Sequence, residues 1–239
     1  LMIWALLGMR IHVPGTTTDS TINQIKEGLL FIASKSIFVY LLTLSFGGML
    51  FASSYTTLMP AFATLLGSQE AGYGLLLSIS GLGSIVGTAV VGSVTLHRSY
   101  GSVILISALA SGIALIGFSV AAISNSFWVA ATFVALNAAF TSVSMVLLMT
   151  ALQASVPDQL RGRVMGIHSI TYSLMPLGGL FLGALAVPIG APYAVIVTCF
   201  LFLIVIGFVT LNGPIRSIDG ALTRNLTEDS TQSTQELNQ

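Results

Sequence analysis

Six long apolar segments restrict what this chain can fold into. They are Ile37–Leu66, Tyr73–Leu96, Val103–Ile123, Phe127–Leu152, Val164–Ile189 and Tyr193–Leu211. Each is long enough to cross the hydrocarbon core of a bilayer, about 30 Å, as a helix. Backbone groups in lipid must pair within the segment, and barrel strands would be about ten residues of alternating polarity. The sequence therefore predicts an all-α integral membrane protein with a six-helix transmembrane bundle.

The composition agrees with lipid as the main solvent and partner of the chain. Charged residues make up 7% and apolar residues 54%, whereas a soluble domain carries about 25% charge. The net charge is zero, which argues against a nucleic-acid partner. The single cysteine, Cys199, lies within an apolar segment and excludes an intrachain disulfide.

The basic residues predict how the chain is oriented. They are Arg10, Lys26, Lys35, Arg98, Arg161, Arg163, Arg216 and Arg224. All of them fall before the first segment, after the second, after the fourth or after the sixth, and the intervening turns have none. Because Lys and Arg collect on the cytoplasmic side, we expect a multi-pass protein of the cell membrane, with the linker, the basic loops and the tail in the cytoplasm.

The same pattern divides the chain into four parts. Residues 1–10 are expected to be the end of a preceding transmembrane helix, because nine apolar residues span only about 14 Å. The sequence would then be a fragment whose missing part lies upstream. Residues 11–36 form a cytoplasmic linker, in which Asp19–Ile32 has the periodicity of an interfacial amphipathic helix. Residues 37–212 form the membrane domain, and residues 213–239 a disordered tail.

The chemistry that an enzyme needs is missing from the apolar segments. No Asp, Glu, Lys or Arg lies in the middle of any of them. His97 and His168 are expected at the cytoplasmic boundary and His12 in the linker. No catalytic pair, cofactor site or metal site can be assembled at membrane depth, and the intramembrane carboxylate usual in an ion pump is absent. We therefore expect a non-enzymatic protein.

The most polar side chains at mid-membrane are those of Tyr55 and Asn137. With Met49, Ser142 and Met145 they are predicted to line a cavity for large, weakly polar molecules. An asparagine in hydrocarbon needs a partner, so an interhelical hydrogen bond is the alternative for Asn137.

Small residues and a proline mark where helices approach or bend. Gly83 with Gly87, and Gly179 with Gly183, form GxxxG patterns that allow close backbone approach, either as fixed packing or as sliding surfaces. Pro60 follows a pair of glycines within the first segment, which indicates a helix able to bend.

Several stretches resemble the C-terminal half of a major facilitator superfamily transporter. They are VPDQLRGRVMG after the fourth segment, LMPAFATLL closing the first and GYGLLLSISGLGSIVG opening the second. The branch they resemble is the enterobactin-exporter-like and macrolide-efflux-like group. The superfamily's loop motif would fall at Gly92–Ser102, where its acidic position is missing.

This resemblance implies export of drug-like or siderophore-like small molecules by alternating access, driven by the proton gradient. The partner would be an N-terminal six-helix half that carries the proton-coupling carboxylate. The alternative is a non-transporting membrane scaffold or partner subunit.

The stretch Ser155–Gly166 concentrates charge between two apolar segments. Arginines in the first turns of a helix oppose its dipole, so helix stability does not explain Arg161 and Arg163. We expect Asp158, Arg161 and Arg163, together with Arg98, to form a cytoplasmic latch that closes in one conformation.

Overall fold

The computed structural model describes residues 30, 32–93, 100–156 and 158–212. Within these ranges the chain forms helices joined by short turns, and no strand occurs there. The α-helices are α1 (Ser36–Gly47), α2 (Met59–Leu65), α3 (Gln69–Ser93), α4 (Tyr100–Ile123), α5 (Phe127–Ser155), α6 (Asp158–Tyr172), α7 (Leu174–Ile189) and α8 (Ala191–Asn212). A π-helical segment, Gly48–Ala52, and a 3₁₀ segment, Ser54–Leu58, lie between α1 and α2.

Six stretches are long and apolar enough to cross a membrane, as predicted. Numbered as spans 1 to 6, they are Ser36–Leu65, Glu70–Gly92, Tyr100–Ile123, Phe127–Ser155, Leu160–Ile189 and Ala191–Asn212. Span 1 combines α1, the π and 3₁₀ segments and α2, and span 5 combines most of α6 with α7. The predicted all-α six-helix membrane bundle is confirmed. The predicted preceding helix end, most of the amphipathic helix, Arg98 and the tail lie outside the described residues.

Spans 1 and 5 are interrupted, and a proline follows each interruption. Proline lacks the amide hydrogen, and its ring clashes with the carbonyl four residues earlier in a regular α-helix. Pro60 lies in the first turn of α2, directly after the 3₁₀ segment. Pro176 lies in the first turn of α7, directly after the turn at Ser173. The prolines explain why neither span continues as one α-helix.

Helix α5 is the centre of the bundle, with α3 on one side and α4 on the other. A Cβ atom at Gly83 or Gly87 of α3 would collide with the α5 backbone at Ala135 or Ala139. Helix α4 also packs against α8, and α7 packs against the π and 3₁₀ segments of span 1. The GxxxG pattern of span 2 therefore brings α3 onto α5, since small residues permit this approach without a hydrophobic driving force.

The buried apolar side chains form two clusters at opposite ends of the bundle. The first surrounds Phe38, Leu152 and Val164, near the connection between spans 4 and 5. The second surrounds Phe62 and Phe118, near the turns that join spans 1 to 2 and 3 to 4. Residues between the two clusters consequently occupy the middle of the bundle.

The turns at the second end are short and have positive φ angles. Gly67 has φ of 69° after span 1, Asn125 has φ of 51° after span 3, and Gly190 has φ of 85° between spans 5 and 6. Glycine adopts this conformation freely, and asparagine tolerates it better than most residues. One residue, Gly190, thus separates α7 from α8.

Candidate substrate site

A polar layer lies between the two apolar clusters. On span 1, α4 and α5, the residues between members of the first and second clusters include several that carry hydroxyl or amide groups. We define the polar layer as Ser53, Ser54, Ser111, Asn137, Thr141 and Ser144. It lies at mid-bundle, which is where a carrier made of two halves would hold its substrate.

The side chain of Asn137 connects α5 to α4. Its side chain is 2% exposed, and Nδ2 donates a hydrogen bond of 3.0 Å to the backbone carbonyl of Ser111. This is the interhelical partner that the sequence required of an asparagine in hydrocarbon. Contact between Asn137 and a substrate stays a prediction.

Tyr55 is also enclosed by protein. It is 5% exposed, and its ring meets that of Phe118 edge to face, with ring centroids 6.1 Å apart. Its side chain also interacts with that of Ser80 on α3. Tyr55 therefore joins span 1 to α3 and α4 in this conformation, and its role in a substrate cavity is untested.

A narrow cleft opens beside the polar layer, with room for water-sized molecules. Its lining is rich in hydroxyl groups, and the described residues that form it come from span 1, α4, α5 and α8. They are Leu44, Ser45, Gly48, Ala52, Ser53, Ala108, Ser111, Thr141, Ser144, Met145, Leu148 and Phe202. Apolar walls with a few convergent polar groups are typical of small-molecule sites, although drug-sized ligands need far more room, from about 300 Å³ upward.

The five residues predicted for the cavity are not all brought together by this cleft. Met145 lies in its lining. Met49 is buried in the π-helical segment and Ser142 is half-buried on α5, while Tyr55 and Asn137 make the contacts described above. The serines of the lining that sequence reasoning missed are Ser45 and Ser111. Their hydroxyls satisfy backbone carbonyls of their own helices so commonly that the sequence carries no distinguishing signal.

The interruptions of spans 1 and 5 meet next to the polar layer. The Ser54 hydroxyl lies 2.8 Å from the Leu50 carbonyl oxygen and 3.3 Å from that of Met175 on α7. A Cβ atom at Gly178 would collide with Ser54 and with the Leu50 carbonyl. We call this junction the break contact. It shows that the glycines of α7 bring it onto span 1, whereas those of α3 meet α5.

The latch residues are described in part. Helix α6 begins at Asp158, so Arg161 and Arg163 lie in its first two turns, as predicted. Arg161 is exposed and Arg163 is partly buried. The side chain of Asp158 and the whole of Arg98 lie outside the described part of the structure. The latch stays a prediction.

His168 was expected near the cytoplasmic boundary of the membrane, and the structure buries its side chain between helices. The ring is 1% exposed, and Nδ1 lies 3.4 Å from Oγ of Ser45 on α1. Val164, His168 and Thr171 share one face of α6, and all three are buried. This helical spacing is the sequence signal that could have predicted the burial of His168, because it places His168 on the face of α6 that turns toward the bundle.

Among the described residues, no group of three or more His, Cys, Asp or Glu side chains could hold a metal ion. A family model described as transmembrane secretion effector matches residues 1–237. No match was found among curated proteins or among solved structures.

Proposed function

Because this chain belongs to the transmembrane secretion effector family of major facilitator transporters, we propose that it exports drug-like or siderophore-like small molecules by alternating access, driven by the proton gradient. It is a multi-pass membrane transporter. The observation that carries the proposal is the family match over residues 1–237, which includes all six spans.

The character of the spans supports a weakly polar substrate. Charged residues within the six spans lie near span ends, at Glu70, Arg161 and Arg163. The middle offers the hydroxyl and thioether groups that line the cleft, and the amide of Asn137. Such groups can hold a large, mostly apolar molecule through many small contacts, whereas a compact ion requires charge or dense coordination.

The low burial of spans 2 and 5 supports the proposal that a second six-helix unit is the partner of this bundle. Within an 18-residue apolar stretch of each span, only 17% of span 2 and 22% of span 5 is buried, compared with 56% of span 3. Gly74 and Gly81 of α3 and Gly183 of α7 have open space where a Cβ atom would lie. Open glycine surfaces suit close approach by other helices. The substrate would then bind between the two units, and the proton-coupling carboxylate would belong to the other unit.

Export can be measured with the full-length transporter in cells that lack their main efflux pumps. The probes are ethidium, erythromycin and a catecholate siderophore, which sample cationic, macrolide and iron-chelating substrates. We expect lower accumulation of at least one probe, abolished by a protonophore. Unchanged accumulation of all three, with correct membrane insertion, would contradict the proposal and favour the scaffold alternative.

We also propose that Arg161 and Arg163, with Asp158 and Arg98, close the cytoplasmic side of the transporter in one conformation. Their positions in the first two turns of α6 oppose the helix dipole, which argues for a role other than helix stability. Replacing both arginines, Arg161→Gln and Arg163→Gln, should lower export several-fold with normal membrane levels. The matched control is Arg216→Gln with Arg224→Gln, which removes the same charge from the C-terminal segment. Equal export by the two double variants would reject the latch.

A further inference from the structure

His168 belongs to a small polar cluster between span 1 and span 5. Its Nδ1 atom lies 3.4 Å from Oγ of Ser45, and that oxygen lies 3.4 Å from Oγ1 of Thr171. The Thr171 hydroxyl donates a 2.6 Å hydrogen bond to the His168 carbonyl oxygen. All three side chains are buried. The cluster is the point at which α6 contacts the end of α1.

The hydrogen atoms of this cluster can be counted. The Thr171 hydrogen is used on the His168 carbonyl, so Oγ1 is left as an acceptor. Ser45 therefore has one hydroxyl hydrogen and two neighbouring acceptors, Oγ1 of Thr171 and the imidazole Nδ1 when that atom is unprotonated. A proton on Nδ1 would turn it into a donor to Ser45 Oγ, and the Ser45 hydrogen would then point to Thr171. The cluster thus has one hydrogen-bond arrangement when Nδ1 is unprotonated and another when Nδ1 carries a hydrogen, as it always does in the charged ring.

The described residues of α1 and α7, the helices packed against α6, include no carboxylate that would compensate a positive charge on the ring. Helix α1 has one titratable side chain, Tyr40, and Lys35 directly precedes the helix. Helix α7 has none. On α6 itself, Tyr172 contacts the ring edge to face at 5.8 Å. The charged residues of α6 are Asp158, Arg161 and Arg163.

The one carboxylate on these helices, Asp158, lies ten residues before His168, or about 15 Å along the axis. Arg161 and Arg163 are nearer and would repel a charged ring. An unpaired charge in a protein interior is costly, so protonation favours conformations in which water or another charge reaches it.

We propose that His168 is a proton-binding residue of the transport cycle, and that its protonation opens the contact between α1 and α6 at Ser45. A ligand that binds two conformations with different affinity shifts their populations, and the proton is such a ligand here. Ser45 also lines the cleft, so a water molecule that entered the cleft would reach the Ser45 end of the cluster. The use of this proton in transport rests on the proposed function, whereas the proton-sensitive contact does not.

The contact can be followed by spin-label distance measurements on the full-length transporter in lipid nanodiscs. Phe46→Cys and Ile170→Cys place labels on exposed positions of α1 and α6, in a Cys199→Ala background. Between about pH 8 and about pH 5.5, the interval in which histidine changes charge, we expect a longer distance to appear. His168→Gln retains polar hydrogen-bonding groups without titrating, and it should show one distribution at both pH values. His12→Gln is the matched histidine control and should respond as the parent does.

Two results would overturn the proposal. One is an identical pH response in the parent and in His168→Gln, and the other is no pH response in the parent. If His168→Gln fails to fold, nitrogen NMR of histidine-labelled parent protein replaces it. Ser45→Ala should then shift one titrating imidazole resonance, and a histidine spectrum unaffected by Ser45→Ala would reject the site.

Transport assays on the parent and on His168→Gln distinguish failure of this inference from failure of the proposed function. For the probe that the parent exports, His168→Gln should lower proton-driven export about tenfold, while exchange of that probe without a proton gradient remains. Full proton-driven export by this variant would reject the role of His168 and leave the exporter intact. Absence of proton-driven export from the parent would reject the proposed function, and the pH response of the labelled pair would still decide whether His168 opens the contact.

Discussion

At the scale of single residues, Asn137 shows how far a sequence can specify a polar contact in a membrane. Its amide needs a partner in hydrocarbon, so a partner was predictable. The partner turned out to be the Ser111 carbonyl. Which group that would be depends on the rotation of α4 against α5, and the apolar sequences of these helices do not encode it, because nearly every face is lipid-compatible.

Replacing Asn137 by leucine, which is similar in volume, should remove this bond and lower the free energy of unfolding by about 0.6–2 kcal/mol. The measurement is denaturant unfolding of the full-length protein in mixed micelles. Asn212→Leu is the control, since Asn212 is exposed and bonds to its own helix. Unchanged stability of Asn137→Leu with loss of export would contradict a structural role and favour a substrate contact.

His168 illustrates a different limit at the same scale. The sequence placed it at a membrane boundary because charged residues precede it on the chain. Its burial depends on Ser45, which is 123 positions away. No local pattern contains that pairing, although the spacing of Val164, His168 and Thr171 indicated a common face.

At the scale of helices, prolines account for the irregular segment in span 1, where bending was predicted, and for the break in span 5, which was not predicted. Pro60 and the preceding glycines predicted a helix able to bend in span 1, and the structure has π and 3₁₀ segments there. Pro176 received no such interpretation, and span 5 was predicted as one segment. It is broken at Ser173 for the same steric reason. The local sequence determines that each span is interrupted, because a proline stands there. The contact between the two interruptions, through Ser54 and Met175, depends on how the helices pack.

The break contact can be tested with two glycines of α7. Gly178→Ala puts a methyl group against Ser54 and the Leu50 carbonyl. Overpacking of this kind costs about 1–3 kcal/mol, so we expect lower stability and faster amide exchange in Gly48–Ala52. Gly183→Ala has open space around the new methyl group and should leave the exchange unchanged. Equal exchange in the two variants would contradict tight packing at this junction.

At the scale of the whole molecule, the number and order of the membrane crossings were predictable because each crossing needs one apolar segment of sufficient length. All six segments reappear as spans, with ends shifted by a few residues. The central position of α5 and the two-cluster core were not predictable. In a bilayer, shape and small residues decide which helices pack against each other, and many glycines of this chain are compatible with such a contact.

The orientation of the spans gives a further prediction. In a Cys199→Ala background, single cysteines at Glu70 and Asn125, both exposed in turns or at a helix start, should react with a membrane-impermeant maleimide added to whole cells. A cysteine at Gly162, exposed on α6, should react only after permeabilisation, because the positive-inside rule places α6's start in the cytoplasm. Labelling of all three positions in intact cells would contradict the topology.

The single residue Gly190 between α7 and α8 has a mechanical consequence. We expect a hairpin this tight to hold the second half of span 5 and span 6 together in any rearrangement of the bundle. The turn at Ser173 is then the place where α6 changes its angle to α7. Such a change would displace both arginines, which lie far from the turn, more than His168, which lies five residues from it.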